Sequence, residues 1–276
     1  MNVTQNLAAA RALGIDRLDA QLLLLHALGK SDRGRAWLLA HDGDPVDEQA
    51  HERFLACCSR RAAGEPLAYI VGQREFHGLS LKVDARVLDP RPDTETLVDW
   101  ALELLAACSA PRVLDLGTGS GAIALAIKHA RPDATVCATD ASAAALALAR
   151  ENAARLELAV QFSQHDWLDG IEGAFDLIVS NPPYIATADP HLAALDAEPR
   201  MALVAGPDGL ADIRRIALQA REHLLPSAWL LLEHGHDQAR AVRELLSAAG
   251  FERVTSRRDL PGIERASGGK KPADAP

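Results

Sequence analysis

The feature that most constrains the fold is the alternation of short apolar runs and helical segments after Pro111. Strands are predicted at 112–116, 135–139, 160–163, 175–180 and 229–233, with a last one within 251–257. Helices are predicted between them, at 121–130, 141–155, 209–225 and 236–249. Because strands that alternate with helices pair side by side in parallel, this order predicts an α/β fold with a doubly wound, mostly parallel sheet.

The first strand of this series runs directly into a glycine-rich loop. Val113-Leu114-Asp115-Leu116 is followed by Gly117-Thr118-Gly119-Ser120-Gly121, and Ala122 opens the next helix. Glycines at such a turn let the backbone come close to a ligand. The loop fits two cofactor classes, because Gly117, Gly119 and Ala122 also satisfy the dinucleotide fingerprint. Asp140, at the end of the next strand, would hold ribose hydroxyls in either case.

Two features favour S-adenosylmethionine over a dinucleotide. Asp115 stands just before the first glycine, where a carboxylate complements a cation and would repel a pyrophosphate. S-Adenosylmethionine has no phosphate and carries a sulfonium and an α-ammonium group. In addition, the fourth strand ends in Asn181-Pro182-Pro183-Tyr184, a loop for which a nicotinamide oxidoreductase gives no reason. Together these features predict an S-adenosylmethionine site.

The Asn-Pro-Pro-Tyr loop suits a planar –NH2 group. Two prolines end the strand abruptly and stiffen the turn, and the backbone carbonyls stay available as acceptors. The Asn181 side chain offers a further oxygen, and Tyr184 offers a flat face. An amide or an exocyclic base amine fits this combination. The alternative is a turn that only terminates the strand.

Asp166 and Trp167 end the third strand of the series. In a nucleotide site the Trp167 ring can stack on or bracket adenine, and Asp166 can accept a hydrogen bond from the exocyclic amine. The alternative for Trp167 is a tryptophan half-buried between helix and sheet. His165, His234 and His236 lack the spacing of metal ligands, so no metal site is expected.

The remaining segments complete the predicted domain organisation. Residues 1–63 read as a small helical domain, in which Asp16 caps a leucine-rich helix and further helices cover 32–40 and 47–63. Residues 64–89 cluster like strands around Gly72 and Gly78, which predicts a β-hairpin linker that begins near Tyr69. The sheet domain then extends over 90–266, and the small-residue tail at 267–276 is expected to be disordered.

Composition narrows the choice of partners and location. The formal charge of −9 argues against binding driven by a nucleic-acid backbone, and no basic target-recognition region is present. None of the four cysteines forms a CxxC pair, so free thiols in a reducing cytosol are expected. No signal-peptide pattern and no apolar run of membrane-spanning length is found. We therefore expect a cytoplasmic protein.

With these residues in place, the chain resembles the HemK/PrmC family of release-factor glutamine methyltransferases. Besides the glycine loop and the Asn-Pro-Pro-Tyr loop, the resemblance rests on Gly64-Glu65-Pro66-Leu67-Ala68-Tyr69-Ile70, Pro90-Arg91-Pro92-Asp93-Thr94-Glu95, Glu198-Pro199 and Asp208-Gly209-Leu210. It covers nearly the whole chain. It implies transfer of a methyl group from S-adenosylmethionine to the side-chain amide nitrogen of the glutamine in the Gly-Gly-Gln loop of bacterial class-one release factors, with S-adenosylhomocysteine as product.

The resemblance and the residue arguments together predict the site. The expected cofactor contacts are Asp115, Gly117, Thr118, Gly119, Ser120, Gly121, Asp140, Asp166, Trp167 and Asn181. The expected substrate contacts are Asn181, Pro182, Pro183 and Tyr184, of which Asn181, Pro182 and Tyr184 are the catalytic residues. The N-terminal helical domain would dock the release factor.

Other functions stay open on the sequence alone. A glutamine methyltransferase that acts on a ribosomal protein would share the sheet and differ in its N-terminal domain. A DNA adenine-N6 methyltransferase shares the Asn-Pro-Pro-Tyr loop, but the negative charge argues against it. A nicotinamide oxidoreductase would show tight NAD binding. A non-catalytic protein on the same scaffold would leave the intact Asn-Pro-Pro-Tyr loop unexplained.

Overall fold

The computed structural model describes residues 1–273 and divides into two compact units, with the boundary between Gln73 and Arg74. The first unit is helical. Its helices are α1 (Val3–Ala12), α2 (Arg17–Ala27), α3 (Ala36–Ala40), α4 (Glu48–Ala62) and α5 (Leu67–Val71). Asp16 caps α2 as predicted, because its carboxylate accepts from the Leu18 N–H at 2.7 Å. Leu23, Leu24 and Phe54 are fully buried in the core of this unit.

The predicted boundary at residue 63 and the predicted strand near Tyr69 are wrong. Residues 67–71 form α5, which follows Pro66 and ends at Gly72 with a left-handed φ of +78°. Proline before the first turn and glycine after the last one are helix signals, and here they prevail over the β-forming tendency of Tyr69-Ile70-Val71. The helix predicted over 32–40 forms only at 36–40, and α1 was not predicted.

The second unit holds the predicted α/β sheet. Its strands are β1 (Gln73–Phe76, which begins at the boundary residue), β2 (Leu79–Lys82), β3 (Arg112–Leu116), β4 (Thr135–Asp140), β5 (Gln161–Gln164), β6 (Phe175–Ser180), β7 (Leu224–Glu233), β8 (Glu252–Arg258) and β9 (Glu264–Lys270). Its α-helices are α6 (Glu95–Leu105), α7 (Ala122–Ala130), α8 (Ala143–Leu156), α9 (Ala211–His223) and α10 (Ala239–Ala248).

Seven strands pair in the order β5-β4-β3-β6-β7-β9-β8, and only β9 runs antiparallel to its neighbours. The doubly wound, mostly parallel sheet is therefore confirmed. One face packs on Leu97, Trp100 and Leu125, and the other packs on Ile213 and Val242. Both faces of the sheet are covered at its centre, which explains why β3, β6 and β7 contain continuous apolar runs in the sequence.

The hairpin is confirmed over a shorter range than 64–89. β1 and β2 form a two-stranded sheet, and β2 is tied to α8 through Asn152. The Asn152 side chain accepts from the Lys82 N–H at 2.7 Å and donates to the Lys82 carbonyl at 3.0 Å. The hairpin edge is thus bonded to the α/β unit.

The tail predicted as disordered contains a strand. Residues 264–270 form β9, which fills the position between β7 and β8. A Cβ atom at Gly268 would lie 2.5 Å from the Leu231 side chain and 2.9 Å from the Leu230 carbonyl oxygen. The small residues therefore reflect tight packing in the sheet. Residues 274–276 of the predicted tail lie outside the described residues.

No helix within residues 1–273 combines the length and the apolar character that a bilayer crossing requires.

Candidate active site

The site lies where the strand order of the sheet changes direction. β3 has β4 on one side and β6 on the other, and parallel α/β sheets bind ligands in the crevice beyond the strand ends at such a point. Leu116 pairs with Ser180, so the glycine loop after β3 and the Asn-Pro-Pro-Tyr loop after β6 start side by side. The Ser180 hydroxyl also donates to the Leu116 carbonyl at 2.8 Å.

The glycine loop forms one wall of a cavity of about 260 Å³. Gly117, Thr118, Gly119 and Ser120 line it, whereas Gly121 is outside the described lining and caps the start of α7 with a φ of +86°. Gly117 has a φ of +67°, and a Cβ atom there would come within 3.2 Å of the Trp167 ring. Glycine is thus needed at 117 both for the backbone conformation and for the packing of the tryptophan.

Asp140 faces the same cavity from the end of β4. Its two carboxylate oxygens accept from the Gly119 N–H at 2.9 Å and the Ser142 N–H at 2.8 Å. Burial raises the pKa of Asp140, and these two hydrogen bonds act in the opposite direction. The carboxylate is held in place while it borders the cavity, as a ligand for vicinal hydroxyls must be.

Trp167 and Asp166 also line the cavity, in different ways. Trp167 is half-buried, adopts a left-handed φ of +55°, and donates from Nε1 to Asp212 at 3.1 Å. An aromatic residue rarely takes this conformation, and here it turns the ring against the glycine loop. Asp166 is exposed and forms an ion pair with Arg215 at 2.8 Å. One oxygen of Asp166 is therefore already engaged at the rim of the cavity.

Asp115 lies at the end of β3, as predicted, and is buried beneath the glycine loop. Its carboxylate is 0% exposed and is absent from the described lining of the cavity. One oxygen accepts from the Thr118 hydroxyl at 2.6 Å and the Ala124 N–H at 3.2 Å, and burial raises the pKa of Asp115 to about 7. Through these contacts Asp115 shapes the glycine loop from beneath, and its contact with the cofactor stays a prediction.

The Asn-Pro-Pro-Tyr loop stands between this cavity and a second one of about 320 Å³. Asn181 lines both, Pro183 lines the first and Tyr184 the second, while Pro182 is buried. The Asn181 Nδ2 group donates to the Thr94 hydroxyl at 3.1 Å. With the nitrogen so engaged, the side-chain oxygen is the atom that can accept from a substrate.

Other sequence motifs meet around the second cavity. Arg91 lines it and pairs with the buried Glu198 at 2.5 Å, while the Asp89 N–H donates to the other oxygen of Glu198 at 3.3 Å. Burial lowers the pKa of Arg91, but the Glu198 carboxylate outweighs it, so the pKa is raised and the guanidinium stays charged. The pair joins the proline loop before α6 to the segment after the Asn-Pro-Pro-Tyr loop.

The residues behind the Asn-Pro-Pro-Tyr loop were not predicted to act there. Gln238 donates to the Tyr184 carbonyl at 3.0 Å and accepts from the Gly235 N–H at 2.8 Å. Gly209 lies so close that a Cβ atom on it would be 2.2 Å from the Tyr184 carbonyl oxygen. Tyr184 also donates from its hydroxyl to the buried Glu233 at 3.4 Å. In the sequence, the Asp208-Gly209-Leu210 motif was the only feature that pointed to these residues.

The charges of the first cavity select between the two cofactor classes. Asp140, Asp166 and Asp212 contribute three carboxylates to its lining. Arg86 also lines it, but its guanidinium is engaged by Asp84 at 2.7 Å and by Glu151 at 3.3 Å. Such a lining fits a cofactor with a sulfonium and an ammonium group and disfavours a pyrophosphate. Among residues 1–273, no cluster of His, Cys, Asp or Glu suits a metal ion.

Solved structures share this fold. A methyltransferase from Pyrococcus furiosus matches with a TM-score of 0.53 at 20% identity, over 71% of this chain and 90% of that one. A 16S rRNA methyltransferase from T. thermophilus, solved with S-adenosylmethionine and guanosine, matches with a TM-score of 0.55 at 19% identity, over 72% of this chain and 49% of that one. At these identities the likeness concerns the fold alone.

Fold and site together define an S-adenosylmethionine-dependent methyltransferase. The family described as "Methyltransferase small domain" matches residues 94–199, and the "PrmC N-terminal domain" matches residues 2–72. A "Release factor glutamine methyltransferase" of Bordetella pertussis is 54% identical over 93% of this chain and 95% of its own. One from Pseudomonas aeruginosa is 51% identical over 92% of both. The chain belongs to the family of release factor glutamine methyltransferases.

Proposed function

We propose that this protein transfers a methyl group from S-adenosylmethionine to the side-chain amide nitrogen, N5, of the glutamine in the Gly-Gly-Gln motif of bacterial class-one release factors. The observation that carries the proposal is the orientation of Asn181 at the junction of the two cavities. Its nitrogen is bonded to Thr94, so its oxygen is presented as an acceptor. The names of the relatives support the choice of glutamine and of release factors.

An amide nitrogen is a poor nucleophile because its lone pair is delocalised into the carbonyl group. Asn181 and the carbonyl of Pro182 can each accept one of the two N–H groups. Held in this way, the nitrogen has a fixed orientation, and its localised lone pair can point at the methyl group. Positioning and acceptors aimed at the positive charge that develops on nitrogen then provide most of the rate enhancement.

The first cavity has the residues to hold the cofactor. The Asp140 carboxylate would take the ribose hydroxyls, the glycine loop would bring the backbone close to the cofactor, and Trp167 would pack against the adenine. When bound, S-adenosylmethionine supplies an electrophilic methyl group on a positively charged sulfur. Asp166 and Asp212 add negative charge to the same cavity, which favours a cationic ligand.

The second cavity would hold the glutamine side chain. Leu88, Leu195 and Leu203 line this cavity and would supply apolar surface for its methylene groups, and Tyr184, which also lines it, would pack beside the amide. The N-protonated product amide is very acidic, so its proton can pass to solvent without a dedicated base. We place the N-terminal helical unit as the docking module for the release factor. A cytoplasmic location is part of the same proposal, since translation termination takes place there.

A transfer assay tests the proposal. Methyl-labelled S-adenosylmethionine is incubated with the protein and with unmethylated release factor, ribosomes or DNA in separate reactions. We expect label on the release factor, mapped to the Gly-Gly-Gln glutamine. We also expect Asn181→Ala to lower turnover by roughly 10²–10³-fold, as the loss of one preorganised polar contact does.

The other outcomes discriminate among substrates. Label only on ribosomes would favour a ribosomal-protein glutamine, and label only on DNA would favour an adenine amine, which also presents two N–H groups. Either result would refute the release-factor proposal and keep the cofactor. If Asn181→Ala left turnover unchanged while cofactor binding collapsed, the assignment of roles between the two cavities would be wrong.

A further inference from the structure

His165 faces the cofactor cavity and has no part in the function described so far. It follows β5 and lines the first cavity, which Asp140 and Trp167 also line. Gln164 pairs with Asp140 at the end of the ladder between β5 and β4, and the His165 N–H then donates to the Asp140 carbonyl at 3.3 Å. His165 therefore stands in the cavity wall next to the strand end that would hold the ribose.

The imidazole ring of His165 is held by the loop that follows it. Its Nδ1 atom lies 2.9 Å from the carbonyl oxygen of Asp169. The ring also packs over Gly170, where a Cβ atom would lie 3.5 Å from Nδ1. Asp169 is itself held from α9, because its carboxylate pairs with Arg215 at 2.5 Å and accepts from Gln219 Nε2 at 2.7 Å. The orientation of the ring is thus set before any ligand binds.

The contact with Asp169 decides which nitrogen of the ring can accept a hydrogen bond. A carbonyl oxygen has no proton to give, so Nδ1 of His165 must be the donor. In a neutral imidazole with its proton on Nδ1, the second nitrogen, Nε2, has a lone pair and accepts. Because Asp169 engages Nδ1, Nε2 is the nitrogen through which His165 can act on a ligand. The ring offers the cavity a neutral acceptor of fixed orientation.

Asp166, the acceptor expected from the sequence, is less suited to bind a base. Its side chain is 60% exposed, and one of its oxygens is engaged by Arg215 at 2.8 Å. An exposed carboxylate exchanges a bond to water for a bond to the ligand, so the net gain is small. The half-buried ring of His165 has less water to give up. A hydrogen bond from the base to His165 would therefore contribute more to affinity.

We propose that Nε2 of His165 accepts a hydrogen bond from the exocyclic 6-amino group of the adenine of S-adenosylmethionine, and that His165 thereby selects adenine among the purines. Asp140 and Trp167 would hold a ribose and a flat ring, which every purine nucleoside has. Only the group at position 6 distinguishes adenine, a donor there, from guanine, an acceptor there. An oxygen at that position would face the lone pair of Nε2 and be rejected.

Calorimetric titration with two ligands tests the inference. The first ligand is S-adenosylhomocysteine, and the second is its analogue in which hydrogen replaces the 6-amino group. The unmodified protein should bind the analogue about 3–10-fold more weakly, which corresponds to one hydrogen bond. His165→Phe keeps an aromatic ring and removes the acceptor, and His165→Ala removes the ring. Each variant should bind the two ligands within about twofold of each other.

The analogue separates recognition of the amine from a change in the loop. If His165→Phe and His165→Ala weakened both ligands equally and kept the difference between them, the ring would only support the loop and the inference would be wrong. Equal binding of the two ligands by the unmodified protein would also overturn it. Should one of the two variants not fold, the other gives the same comparison.

Two further variants complete the test. Asp166→Ala should keep the full difference between the ligands. If Asp166→Ala abolished that difference while His165→Phe kept it, Asp166 would be the acceptor and the inference would fail. His129→Phe is the matched control, because His129 is exposed near the end of α7 and lies outside the described lining of the cavity. It should bind both ligands as the unmodified protein does.

The titrations need no protein substrate, so their result is independent of the proposed function. A protein that distinguishes the two ligands through His165 but labels only ribosomes or DNA would keep this inference and refute the release-factor proposal. A protein that methylates the release factor but binds both ligands equally would refute the inference and keep the proposed function.

Discussion

Gly209 allows a sharp test of how rigidly the Asn-Pro-Pro-Tyr loop must be held. It is buried behind that loop with a φ of +71°, and a Cβ atom built on it would lie 2.2 Å from the Tyr184 carbonyl oxygen and 2.9 Å from Gln238 Nε2. Gly209→Ala therefore combines backbone strain with a direct collision against the backbone of a site residue.

The magnitude has two parts. An alanine in the left-handed region costs about 1–2 kcal/mol of folding free energy wherever it stands. Cβ atoms are essentially never found closer than 3.0 Å to another atom, so the 2.2 Å approach requires Tyr184 or Gly209 to move by roughly 0.8 Å. A displacement of about 1 Å at a reacting group lowers turnover by about 10²-fold. We expect a loss of that size in kcat, with cofactor affinity nearly unchanged.

Gly78 provides the matched control. It lies in the turn between β1 and β2 with a φ of +78°, and a Cβ atom there would meet nothing within 4 Å. Gly78→Ala should carry the same backbone cost and no collision. Both variants are compared by thermal unfolding, by calorimetric titration with S-adenosylmethionine, and by the release-factor assay. Gly209→Ala should be the less stable of the two and the only one with impaired turnover.

One result would refute this reasoning. If Gly209→Ala lost no more stability than Gly78→Ala and kept kcat within about twofold, the loop would tolerate displacement. The contact between Gly209 and Tyr184 would then have no part in catalysis. A weaker cofactor affinity with unchanged kcat would also contradict it, because Gly209 lies outside the described lining of the cofactor cavity.

Two further predictions concern the cofactor loop. Asp140→Ala should weaken cofactor binding by up to a few kcal/mol, because the Asp140 carboxylate borders the cofactor cavity, and it should change kcat at saturation little. Calorimetric titration measures the affinity. An unchanged Kd would contradict this role. Asp115 has a folded-state pKa raised to about 7, so its stabilising contribution is complete below its unfolded pKa and is lost as the pH rises through about 7. The melting temperature of Asp115→Asn relative to the unmodified protein should therefore rise between pH 5 and 8, by the equivalent of about 3 kcal/mol at most, and a difference independent of pH would refute it.

The core of the fold follows from local sequence patterns. The six predicted strands of the large sheet were each confirmed, and the central ones, β3, β4, β6 and β7, are the largely buried runs that a parallel sheet requires. β9 was not predicted because Ala266, Ser267, Gly268 and Gly269 have low strand propensity. They are selected by the space between Leu231 and Phe251, which only the assembled sheet defines. α5 was not predicted because its residues favour strands, and the helix signals on either side, Pro66 and Gly72, were not taken into account.

The site shows the same division between local and distant information. The glycine loop, Asp140 and the Asn-Pro-Pro-Tyr loop are contiguous motifs, and the structure brings them together at one edge of the sheet. The residues that orient them come from far away. Thr94 lies 87 positions from Asn181, and Glu233 lies 49 positions from Tyr184. The sequence motif identifies Asp115 but does not reveal its role, because the burial of Asp115 beneath the loop depends on the packing of helix α7.

The register of the sheet explains why the two loops need no large movement to cooperate. Leu116 and Ser180 are paired neighbours on adjacent strands, so Gly117 and Asn181 begin at the same level, about 4.8 Å apart across the ladder. A slip of one residue would turn Asn181 to the opposite face of the sheet and separate the acceptor from the cofactor cavity. The hydroxyl of Ser180 resists such a slip by bonding to the Leu116 carbonyl at 2.8 Å. The pairing of β3 with β6 thus sets the relative position of the glycine loop and the Asn-Pro-Pro-Tyr loop, and with it the alignment of methyl donor and amide acceptor in the proposed function.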